Sequence, residues 1–182
     1  MNNQNNFRKV LSLTAITGFT FFAIASGDGE SNSSSSSKQT TEAAANSAVT
    51  VGQPLQTKYF EVTVSEVIVS DRVRTGNQFS DLPREEGNKY LIISATFKNT
   101  DKESRMIMDG SVWIEYNGQR YEFDKSETVL ADGWGTMLDQ INPLTSKTTN
   151  IVYKLPAEIT GTAFWQPGRS SMKELINLGN IE

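Results

Sequence analysis

Period-two alternation constrains this chain more than any other feature. Across residues 88–99, Leu91, Ile93, Ala95 and Phe97 share one parity, and Ser94, Thr96 and Lys98 share the other. That is the pattern of a strand with one face on a core and one in solvent. Residues 59–70 repeat it, with Phe60, Val62 and Val64 opposite Glu61, Thr63 and Ser65. The next apolar residues, Val67 and Val69, fall on the other parity, so a β-bulge is predicted near Ser65-Glu66. In residues 147–155, Thr149, Ile151, Tyr153 and Leu155 align, and Pro156 closes the run. Residues 112–116 and 119–123 flank Asn117-Gly118, which predicts a hairpin with a type I′ turn. Short strands are predicted at 105–108, 162–166 and 175–178. No segment after residue 50 holds a 3.6-residue apolar period over a dozen positions. Seven to eight short strands with turns between them predict an all-β fold, an immunoglobulin-like antiparallel β-sandwich over residues 50–182. Two long loops, 71–88 and 125–146, interrupt the spacing.

The first 49 residues read differently. Arg8 and Lys9 precede sixteen uncharged residues, 10–25, which end in Ala23-Ile24-Ala25. A basic start, an apolar run and a small-x-small end predict a signal peptide over 1–25. The alternative is an uncleaved anchor, although the run is short of the roughly 20 residues that span a membrane. Residues 26–49 are rich in Ser, Ala, Asn and Thr, with little to bury, which predicts a disordered tether. A leader followed by a Ser-rich tether is the layout of a lipoprotein. The Cys that would carry the lipid is absent, so lipid anchoring to a membrane is not expected. The location expected is extracytoplasmic: periplasmic, cell-surface or secreted.

The residue inventory excludes much chemistry. The chain has no Cys and no His. Disulfides, thiolate nucleophiles, Cys/His zinc sites and Ser-His-Asp triads are therefore ruled out. With 17 basic and 21 acidic residues the net charge is −4, a poor match for a phosphate backbone, so no nucleic-acid partner is expected. Ser35-Ser36-Ser37-Lys38 fits an S-x-x-K pattern only because it lies in a serine tract. No cofactor is expected.

Four stretches together carry a resemblance: VGQPLQTKYFEVTVSEVIVSD, GNKYLIISATFKNTDKE, the hairpin VWIEYNGQRYEF, and INPLTSKTTNIVYKLP. Behind a leader and a Ser-rich tether they resemble a bacterial secreted and lipoprotein family, domain of unknown function 4352, over about residues 50–180. The resemblance implies an immunoglobulin-like sandwich and brings no catalytic residues.

Four groups of side chains remain as candidates. Met106 and Met108 lie two apart, so on a strand both thioethers face one way, as a Cu(I) site requires. Met137 or Met172 would have to complete such a metal site, and core filling is the alternative. Asp101, Glu103, Asp109, Asp124, Asp132 and Asp139 offer oxygens for Ca²⁺ or a glycosidase pair, against a plain reading as solvated turn carboxylates. Arg72, Arg74, Arg84 and Lys89, interleaved with Asp71, Asp81, Glu85 and Glu86, predict a solvated loop. Trp134 lies between Gly133 and Gly135 in the second long loop. With Met137 and Leu138 it is the candidate partner contact, and the competing account makes it a plug in one open end of the sandwich. Trp113 and Trp165 are read as packing residues.

The function expected is that of an exported, non-catalytic cell-envelope domain acting through contacts with an unknown envelope protein or ligand. A periplasmic carrier of a metal or small ligand is the alternative, and a hydrolase the third reading. Clustered carboxylates in one cleft would favour the hydrolase.

Overall fold

The structure is a computed structural model that describes residues 48–136, 139–171 and 173–182. The expected leader (1–25) and nearly all of the expected tether lie outside the described residues. So do Met137, Leu138 and Met172.

Among the described residues no helix forms. The strands in chain order are β1 (Val49–Thr50), β2 (Pro54–Gln56), β3 (Phe60–Ser70), β4 (Asn88–Asn99), β5 (Arg105–Met106), β6 (Ser111–Tyr116), β7 (Gln119–Phe123), β8 (Gln140–Ile141), β9 (Ser146–Pro156), β10 (Gly161–Gln166) and β11 (Ile176–Ile181). Eight of them are longer than two residues, in line with the seven to eight expected. They build a five-stranded sheet β1-β11-β10-β6-β7 and a four-stranded sheet β2-β3-β4-β9, with β5-β8 as a small third pair. Every pairing is antiparallel except β1 with β11, a two-residue parallel start that takes in Val49.

The predicted alternation is the inner face of the four-stranded sheet. Phe60, Val62, Val64, Leu91, Ile93, Phe97, Ile151 and Leu155 are buried there. They pack against Val112, Ile114, Ala163, Trp165 and Ile176 of the other sheet. Each fully buried large side chain of this kind stabilises the fold by roughly 1.5–3 kcal/mol. Phe97 stands edge-on to Phe60, with centroids 6.0 Å apart, and to Trp165, at 6.1 Å. The register of β3 on β4 shifts between Val64 and Glu66, the bulge expected from the parity slip. It returns Val67 to the core side. Asn117 and Gly118 both have positive φ, 51° and 74°, as the type I′ turn demands. The last expected strand is present and runs on to Ile181.

The two long loops depart from expectation. The first is not simply solvated, and the second does not cap an end of the sandwich. Both fold over the outer face of the four-stranded sheet. Val73 and Val129 pack there on Tyr90, Ile92 and Val152 in a second buried cluster, flanked by Leu82, Ala131 and Trp134. The cause is that β4 and β9 are apolar on both parities over this stretch, and that surface needs cover. The second loop also runs along the free edge of β9. Glu127 N donates to Val152 O at 2.7 Å, Gly135 N to Asn150 O at 2.8 Å, and Asn150 N to Gly133 O at 2.9 Å. It acts as a strap on an edge strand, satisfying groups that would otherwise be open to pairing. Ser80 Oγ donates to Leu130 O at 2.5 Å and joins the two loops.

Candidate functional site

The site begins with Asp109, in the segment between β5 and β6. Its main-chain oxygen accepts from the Tyr153 hydroxyl at 2.8 Å and from the Trp165 indole N–H at 2.9 Å. Burial pushes the Tyr153 phenol well above its ordinary range, and the charges of Asp109 and Asp124 add to the shift. The hydroxyl therefore stays a proton donor. The Asp109 carboxylate turns the other way and accepts from the hydroxyls of Ser126 and Thr136, both in the strap. Thr136 is buried, so its hydroxyl needs that acceptor. Asp109 thus adds a side-chain fastening to the main-chain bonds that hold the strap along β9.

A cavity of about 420 Å³ opens beside this fastening, lined by Asp109, Asp124, Lys125, Glu127, Trp134 and Thr136 among others. Trp134 is half-buried. It packs against the second cluster while lining the cavity. Its main-chain N–H donates to Ala131 O at 3.1 Å. Gly133 and Gly135 on either side take positive φ, 77° and 70°, which lets the backbone turn sharply around one large aromatic. Trp134 is thus a wall of a cleft on the outer sheet face. Among the described residues of the second long loop, Leu130 and Leu144 are the exposed large apolar side chains, at 73% and 80%. Lys154 bonds Glu127 at 3.5 Å and Glu85 at 3.0 Å. That ammonium holds the Glu85 carboxyl below its usual range, and the Tyr90 hydroxyl and Asn88 amide add to this.

The remaining candidates do not converge. The strand expected over 105–108 ends at Met106, so Met108 lies beyond β5, 50% exposed, and the two thioethers do not share a strand face. Asp101 and Glu103 pair with Arg105 at 2.5 and 2.9 Å, and Asp139 pairs with Lys147 at 2.6 Å. Asp132 is exposed. Among the described residues no three His, Cys, Asp or Glu side chains come together as a metal site. Arg72 and Arg84 both face Asp71. Arg74 is exposed, and Lys89 is buried, donating to the main-chain oxygen of Glu182 at 2.8 Å. Burial lowers the Lys89 ammonium from its usual range. Trp165 is fully buried core. Trp113 lies under the Arg120 guanidinium, 4.0 Å from its ring centroid.

Sequence reasoning placed Asp109 among solvated turn acids and missed its double role. No local motif marks it, because its partners lie 17 to 56 residues away.

Residues 49–164 match the family described as a domain of unknown function, DUF4352. The chain belongs to the DUF4352 family. Solved structures with a similar fold include an uncharacterized β-sandwich protein from Clostridium difficile. It is 18% identical, with a TM-score of 0.52, and the match covers 72% of this chain and 93% of that one. A conserved hypothetical protein from Bacillus anthracis is 20% identical, with a TM-score of 0.47 and 74% and 95% of the two chains covered. The yjhA protein from Bacillus subtilis is 16% identical, with a TM-score of 0.44 and 71% and 99% covered. The first likeness supports the β-sandwich fold of this DUF4352 member. No curated protein matches the sequence.

Proposed function

We propose that this chain is an exported cell-envelope domain that works by contact rather than catalysis, and that the cleft under the strap, walled by Trp134, is where contact is made. The observation that carries the reading is the half-buried indole in a cavity of about 420 Å³, held by a strap that Asp109 fastens to the core. A rigid aromatic at a concave site is the kind of anchor that dominates recognition. Export is supported by the basic start, the uncharged run and Ala23-Ile24-Ala25.

The hydrolase reading draws on the same cleft, because Asp109, Asp124 and Glu127 line it together. Two of these carboxylates are already engaged, Asp109 by two hydroxyls and Glu127 by Lys154. That leaves Asp124 alone, where acid–base hydrolysis of a glycoside needs a pair.

The test is co-sedimentation of the full chain with isolated bacterial cell envelopes. Trp134→Ala should weaken association by at least about tenfold, as loss of an aromatic anchor does, while Trp113→Ala leaves it unchanged. Equal sedimentation of wild type and Trp134→Ala overturns the reading. Release of soluble fragments from the envelopes, lost in Asp124→Asn, would replace it with the hydrolase.

A further inference from the structure

The geometry points to an organic cation, a quaternary ammonium group, as the ligand chemistry of the Trp134 cleft. This rests on the reading of that cleft as the contact site and gives its occupant a chemical class.

The aromatic wall is the first ground. Trp has the most attractive π face for a cation among the side chains. The main-chain N–H of Trp134 donates to Ala131 O, and its neighbours Gly133 and Gly135 are both bonded to the Asn150 main chain. Its indole also packs against the second cluster. A ring packed against buried core residues and carried on a hydrogen-bonded backbone loses little freedom when a ligand arrives, which favours binding.

Charge is the second ground, and it is independent of the first. Asp109, Asp124 and Glu127 line the cavity with Lys125 as the one lining cation. The lining therefore carries an excess of negative charge. Lys154 engages Glu127 and two hydroxyls engage Asp109. Asp124 forms no ion pair among the described residues and is exposed. An anion would meet net repulsion here. A neutral apolar ligand would desolvate Asp124 with nothing in return. An ammonium group satisfies the carboxylate and the π face together. The volume, about 420 Å³, lies within the range of small-molecule sites.

The test titrates the ¹⁵N-labelled full chain with choline, and in parallel with 3,3-dimethylbutan-1-ol, its uncharged isostere. Choline should shift the Trp134 indole resonance saturably, and the isostere should bind at least about tenfold more weakly. Asp124→Asn should weaken choline by about three- to tenfold, and added salt should do the same. In Trp134→Leu the choline-induced shifts of the strap amides should vanish, with the Trp113 and Trp165 resonances unmoved as proof of the fold. Isostere binding as tight as choline overturns the cation while leaving the cleft a contact site. Absence of any choline shift, or a strap shift that survives Trp134→Leu, also overturns the proposal. Neither outcome bears on envelope sedimentation, which judges the underlying reading separately.

Discussion

The indole N–H of Trp165 donates to the main-chain oxygen of Asp109 at 2.9 Å. A fully buried core side chain is thereby bonded to the residue whose carboxylate holds the strap. The order of the cleft is thus inherited from the sandwich through two faces of one residue, its carbonyl inward and its carboxylate outward.

Asp109→Ala keeps the carbonyl and removes the carboxylate. The hydroxyls of Ser126 and Thr136 then lose their acceptor. Leaving a buried donor unmatched costs about 1–3 kcal/mol. Denaturant unfolding should show that loss, and amide exchange should quicken across residues 126–136 while β4 stays protected. Unchanged exchange in the strap would mean that Asp109 does not fasten it.

The second cluster should behave as true core. Ile92 is 7% exposed beneath the loops, whereas Ile68 on the neighbouring strand is 40% exposed. Ile92→Ala should cost about 2–4 kcal/mol, and Ile68→Ala less than about 1 kcal/mol. Equal costs in thermal or denaturant unfolding would show that the loops do not bury the outer face of the sheet.

The main core was legible because its strands alternate, and the bulge and the hairpin announced themselves through the parity slip and through Asn117-Gly118. The second cluster had a signal too. Leu91-Ile92-Ile93 and Ile151-Val152-Tyr153 are apolar on both parities, the mark of a strand buried on both faces. Attention to one parity hides it, so the first loop reads as solvated and the second as a contact or an end plug, when both are the missing cover. Trp134 was singled out by its glycines, but its place on a sheet face depends on β9, which lies beyond any local pattern. Asp109 was illegible for the same reason.

Stability should fall on the acid side. Hydrogen bonding holds three carboxyls below their ordinary values: Glu85 through Lys154, Asp71 through Arg72, and Asp101 through the Lys102 N–H and then Arg105. A lowered folded pKa gives stability that is present above the unfolded value, near 4 for a carboxyl, and lost as pH falls through the folded value. The Lys154 ammonium is raised by the same Glu85 bond, so its contribution is full below about pH 10 and is lost above that. Melting temperature against pH should therefore fall away below about pH 4. Glu85→Gln should make that acid limb shallower. An acid limb of the same slope in Glu85→Gln would remove Glu85 from the account.

Export should leave a mature chain that begins at Ser26, because the Ala23-Ile24-Ala25 end predicts cleavage after Ala25. N-terminal sequencing of protein recovered outside the cytoplasm reads this directly. A mature chain that still carries Arg8 would mean that the segment is retained as an anchor.

Hydrogen exchange of the full chain, with and without isolated bacterial envelopes, tests the central claim most directly. The account predicts that envelopes slow exchange at Asp109 and across the strap from Lys125 to Thr136, with the exposed edge strand β7 unchanged. Slowing confined to β7 or to other surfaces, with the strap exchanging as in the free protein, would contradict it.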